Sequence, residues 1–120
     1  MIQIYHNPRC GKSRNCLLLI KESNKEHQVI NYLENGPTFD ELANVIQKLD
    51  FEPISLVRQK EKIWIENFKN KQMTNDEIIQ AMVTYPILIE RPIVIIGNKA
   101  IIGRELDSVI DFIIISSKFN

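Results

Sequence analysis

Apolar and polar residues alternate at the start of the chain. Ile2 and Ile4 stand against Gln3 and Tyr5, the two-residue period of a strand with one face buried. Asn7-Pro8 ends that strand, because Pro has no N–H to give a ladder. From Gly11 the pattern turns helical, with the apolar run 16–20 as the buried part. A polar connection over 21–26 follows, and Val29-Ile30-Asn31-Tyr32 reads as a second strand, stopped by Glu34-Asn-Gly-Pro37. Strand, helix and strand in this order imply a right-handed parallel crossover.

The middle of the chain is helical. Thr38-Phe-Asp-Glu41 is a capping box, and Phe39, Leu42, Ala43, Val45, Ile46 and Leu49 follow mostly at helical spacing. Pro53 can start a short helical turn holding Ile54, Leu56 and Val57, with Arg58 just beyond. Residues 60–72 are charged with Ile63, Trp64, Ile65 and Phe68 interleaved, which predicts a surface helix with one apolar side. Thr74-Asn-Asp-Glu77 is a second capping box, its helix burying Ile78, Ile79, Met82 and Val83 and ending at Tyr85-Pro86.

The last third returns to strands. Ile93-Val-Ile-Ile96 is apolar on both faces and so predicts a central strand. Gly97-Asn98 is a two-residue hairpin signal, and Ala100-Ile101-Ile102 is the returning strand. Leu106, Val109, Ile110 and Ile113 predict one buried side of a last helix, with residues 116–120 a loose tail.

Composition narrows the class. At 120 residues this is one domain with a core that needs no staples. Fifteen basic and fifteen acidic side chains cancel, which argues against a nucleic-acid or membrane-surface binder. No apolar run approaches the length that spans a bilayer, and no signal-peptide pattern opens the chain. With only two cysteines, the expectation is a reducing cytoplasm and not a disulfide framework. No metal is expected.

Cys10 carries the candidate chemistry. It sits at or just before a helix N-terminus, where free N–H groups and the macrodipole favour an anion. The thiolate is the nucleophilic form of a cysteine, and Lys12 and Arg14 add positive charge nearby. A protonated His6 ring would add more, and the equal alternative is a hydrogen-bonded structural His. Cys16, inside the leucine run, reads as a small buried hydrophobe. The pair is not a C-x-x-C site, because Ser13 holds the second position. Nor is it a Cys-x5-Arg phosphate cradle, because Cys16 is where the Arg would be. On a helix Cys16 lies roughly 600° round from Cys10, so a disulfide would unwind the first turns.

Parallel strands first, a helical block, then an antiparallel hairpin and a helix resemble the thioredoxin-like plan. The expected fold is α/β, βαβ–helical insertion–ββα: a four-stranded mixed sheet with helices on both faces. Residues 1–35 and 87–115 would form the core, and 38–86 the insertion. Pro92 at the entry of a buried strand needs a reason, and in thioredoxin-like folds a cis Pro there faces the reactive cysteine.

Four stretches point to a family: His6-Asn-Pro-Arg-Cys10-Gly-Lys-Ser-Arg14-Asn, Tyr32-Leu-Glu, Leu56-Val-Arg58, and Pro86-Ile-Leu-Ile-Glu-Arg91-Pro92-Ile-Val. In register over nearly the whole chain, they resemble the glutaredoxin-coupled arsenate reductases. The resemblance implies Cys10 as nucleophile and Arg58, Arg91 and Arg104 as the arginines that hold an oxyanion. It implies His6, Asn7, Gly11, Ser13, Arg14 and Pro92 as supporting residues. It also implies arsenate as substrate, glutathione as co-substrate with no bound cofactor, glutaredoxin as partner, and a monomer. Guanidinium forks suit the planar edges of a tetrahedral oxyanion. Two alternatives belong to the same fold: an Spx-like regulator that binds RNA polymerase, usually with Cys-x-x-Cys, and a related thiol oxidoreductase with another substrate. Arg9, where a small residue is expected, could alter substrate access.

Overall fold

A computed structural model describes residues 1–119. In it the chain divides into two units: Met1–Tyr32 together with the chain from Arg91 onward, and Leu33–Glu90. The first contains β1 (Ile2–Tyr5), α1 (Gly11–Glu22), β2 (His27–Ile30), β3 (Ile93–Ile96), β4 (Lys99–Ile102) and α5 (Leu106–Phe119). The second contains α2 (Phe39–Leu49), α3 (Lys62–Asn67) and α4 (Asn75–Thr84), with 3₁₀ turns at Pro53–Leu56 and Pro86–Leu88.

The sheet order is β2-β1-β3-β4. β1 pairs in parallel with β2, as the crossover requires, and antiparallel with β3. β3 and β4 form the hairpin, turned at Gly97 with φ +60. With its helices this is a thioredoxin-like mixed sheet. Alternation sends Ile2 and Ile4 to one face, where Val94 lies opposite Ile4. Cys16 and Ile20 of α1 and Val109 and Ile113 of α5 complete that buried cluster. In the other unit, α2 packs on α4 through buried Leu42, Val45, Ile46, Ile78, Ile79 and Met82. Both capping boxes close: Glu41 N–H donates to Thr38 Oγ1 at 3.2 Å and Glu77 N–H to Thr74 Oγ1 at 3.2 Å.

Four expectations are corrected. β2 runs over His27–Ile30 and not 29–32, because it is an edge strand placed by its pairing with β1 and not by its own apolar pattern. Tyr32 lies beyond it, buried and stacked on Tyr5 with ring centroids 6.0 Å apart. α3 has six residues, since Phe68 leaves the helix to stand between Trp64 and Tyr85, at 5.4 and 6.1 Å. In place of a loose tail, α5 continues through 116–118, where the Ser117 hydroxyl donates to the Ile113 carbonyl at 2.9 Å. Asn120 lies outside the described residues. Finally, the apolar runs overshoot their buried stripes. Leu18 is exposed, because a helix turns consecutive residues about 100° apart, and Leu106 and Ile110 are exposed on the margin of the stripe centred on Val109 and Ile113.

Candidate active site

The ends of three strands meet at one edge of the first unit. β1 finishes at Tyr5 opposite Ile93, the first residue of β3, and Ile93 lies opposite Ile102, the last residue of β4. The segments after β1, before β3 and after β4 therefore converge, and they carry Cys10, Arg91 and Arg104. The Arg91–Pro92 peptide is cis, and Pro92 is fully buried. Its carbonyl accepts the Gly103 N–H at 2.7 Å, which sets Arg104, exposed, one residue beyond.

The loop from β1 to α1 is built on Asn7, 2% exposed. Its carbonyl accepts the Cys10 N–H at 3.0 Å and its Oδ1 accepts the Arg9 N–H at 2.9 Å. Its own N–H donates to Ser13 Oγ at 3.0 Å. Ser13, wholly buried in the first turn of α1, also shares a 2.6 Å hydrogen bond with His6 Nδ1. Arg14 folds back so that Nη1 donates to the Pro8 carbonyl at 3.0 Å. A side chain at Gly11 would stand 3.6 Å from the other Arg14 nitrogen, so the exposed loop is strapped from outside. Arg9 is exposed beside Cys10, its backbone N–H tied to Asn7.

Cys10 is the N-cap of α1 and makes no side-chain cap bond there. Partial burial opposes the thiolate. That is outweighed by the Ser13 N–H, the Arg91 side chain, the Lys12 N–H and the Arg91 charge, so the pKa lies below the ordinary thiol value. Of the two readings of His6, the structure supports the hydrogen-bonded one. Burial, then the charges of Lys21 and Arg14, hold its pKa below the ordinary 6.5, so at neutral pH the ring is a hydrogen-bonding group. Cys16 is 0% exposed, and burial raises its pKa to about 11.

Arg58 belongs to the other unit. Its N–H donates to the Leu88 carbonyl at 2.7 Å, and its guanidinium pairs with Glu90 at 3.4 Å and with Glu61 at 4.0 Å. Neither carboxylate stands out when the sequence is read alone. The available signal was the position of Glu90 directly before Arg91.

The model of the ArsC family matches residues 5–112. The uncharacterized protein YfgD of Escherichia coli K12 is 40% identical over 114 residues, covering 93% of this chain and 96% of that one. An arsenate reductase of Neisseria meningitidis serogroup A is 36% identical over 110 residues, covering 90% and 94%. The solved arsenate reductase of Vibrio cholerae has a TM-score of 0.87 at 39% identity, covering 92% of this chain and 95% of that one. With the family pattern running from Tyr5 through Phe112, and relatives matched almost end to end, this chain belongs to the ArsC family.

Proposed function

We propose that the chain is an arsenate reductase that uses Cys10 as nucleophile and an external thiol as reductant. The observation that carries this reading is the place of Cys10 at the start of α1, beside the converging segments that carry Arg91 and Arg104. The names of relatives in two genera support the substrate.

The Cys10 thiolate attacks arsenic(V), and one arsenic oxygen leaves as water after protonation. Arg91 and Arg104 hold the oxyanion and its transition-state charge, and Arg58 joins them on the family resemblance. Glutathione thiolate then attacks the Cys10 sulfur. The S–As bond breaks, its electron pair stays on arsenic, and arsenite leaves. Two electrons have passed to arsenic, and Cys10 is left in a mixed disulfide with glutathione. Glutaredoxin takes the glutathione by thiol–disulfide exchange and frees Cys10. The second thiol comes from outside because Cys16, the chain's other cysteine, is buried and kept protonated.

The test is arsenite formation by the purified chain with arsenate, glutathione and glutaredoxin. Turnover that needs all three is expected. No arsenite under those conditions overturns the reading. Co-purification with RNA polymerase without turnover would favour the regulator instead.

A further inference from the structure

We propose that Glu90 is a positioning residue for Arg58: its carboxylate holds one part of the guanidinium in place and leaves the remaining donors for an oxyanion. This rests on the reading that Arg58 binds the oxyanion.

The backbone comes first. Arg58 N–H donates to Leu88 O at 2.7 Å, Glu90 N–H donates to Leu56 O at 2.8 Å, and Val57 faces Ile89 in an antiparallel bridge. Residues 56–58 and 88–90 are thus locked in register within the Leu33–Glu90 unit. The side chains repeat the lock. Glu90 Oε1 lies 3.4 Å from Arg58 Nη1, and Glu61 Oε2 lies 4.0 Å from Arg58 Nε. Of the three side chains Glu90 is the least exposed, at 16% against 27% for Arg58 and 25% for Glu61. An arginine has five N–H donors, so two carboxylates still leave part of the fork for a ligand. A guanidinium fixed beforehand loses less rotamer freedom when the anion arrives.

The test compares Glu90→Ala, Glu90→Gln and wild type. In Glu90→Ala the KM for arsenate should rise about tenfold while kcat stays within about twofold, the pattern of lost binding. Glu90→Gln keeps an acceptor and should restore KM to within about threefold of wild type. The Cys10 thiolate titration should not move in either, because the partners of Cys10 are Ser13, Lys12 and Arg91. A second arm measures arsenate binding by calorimetry in a Cys10→Ser background, with and without Glu90→Ala, where a rise in Kd of about tenfold is expected. If wild type turns over no arsenate, the reductase reading fails and the binding arm alone decides the role of Glu90. An unchanged or lowered KM and Kd in Glu90→Ala overturns the proposal, as does no arsenate binding with Glu90 intact. Should Glu90→Ala not fold, Glu90→Asp, which withdraws the carboxylate by one methylene, takes its place with the same expectation.

Discussion

A Cβ on Gly103 would stand 2.9 Å from the sulfur of Cys16, with methyl groups of Val94 and Val109 at 3.1 and 3.2 Å. This glycine is required for lack of room. The turn after β4 presses its backbone against α1 and α5, and in the same step gives its N–H to Pro92. Gly103→Ala should destabilise the fold by about 1–3 kcal/mol, the usual range for overpacking. Adding Cys16→Ala removes the nearest obstacle and should recover part of that loss. Chemical denaturation of the two single mutants and the double mutant measures the coupling. Strict additivity would mean that the sulfur is not the obstacle.

The two cysteines should separate cleanly by role. Cys10→Ser is expected to abolish arsenate turnover. Cys16→Ala should leave most of it, at a cost of about 1 kcal/mol of stability for one lost buried contact. Steady-state kinetics with both variants decides; equal losses would make Cys16 a resolving thiol.

The pH dependence follows from three shifted groups of the first unit, Cys10, Cys16 and His6. The Cys10 pKa is lowered, so its stabilisation is full above the unfolded thiol value and is lost as pH falls through the folded one. Thiolate absorbance in a Cys16→Ala background should show a midpoint below the ordinary 9.0, moving upward in Arg91→Ala. The Cys16 pKa is raised to about 11, so the unfolded chain ionises first and stability should fall from about pH 9 toward pH 11. His6, with a lowered pKa, should cost stability as pH drops below 6.5, an effect that His6→Gln removes. Denaturation midpoints across this range test both signs.

Arg91 should not tolerate lysine. Lysine keeps the charge but offers a point donor where arginine offers a planar fork. Arg91→Lys is expected to lower kcat/KM for arsenate by at least about tenfold, or roughly 1.4 kcal/mol. Arg91→Ala should cost more, because the charge-assisted hydrogen bond is lost altogether. Millimolar sulfate should raise the melting temperature of wild type by binding the native state, and less so in both variants. Wild-type kinetics in Arg91→Lys would mean that no bidentate contact is made.

What could be read in the amino-acid sequence was what depends on a few neighbouring residues. The boxes at Thr38 and Thr74 were legible because four residues contain both partners of each hydrogen bond. Cys10 at the start of α1 was legible because Pro8 and Gly11 bracket the change from strand to helix. β2 was misplaced because an edge strand takes its position from the strand beside it, and residues 27–30 have no strong pattern of their own. The state of His6 was illegible for a related reason. It depends on burial and on the charges of Lys21 and Arg14, and only folding sets the balance. Glu90 was missed because its partner, Arg58, is far away in the chain and is reached through the pairing of 56–58 with 88–90.

The hairpin of β3 and β4 acts as a length gauge. Its two-residue turn at Gly97 and Asn98 pairs Ile96 with Lys99, and the count then runs without interruption to Ile93 opposite Ile102. One inserted residue in that turn would slip every pair and reverse the facing of the whole strand, bringing buried Ala100 to the outside. It would also take the Gly103 N–H away from the Pro92 carbonyl. Arg104 would emerge on a different bearing, although the altered turn lies at the opposite end of the strands. Chain length at Gly97-Asn98 is thus constrained by chemistry a full strand away, and an insertion there should harm the sheet and the site together.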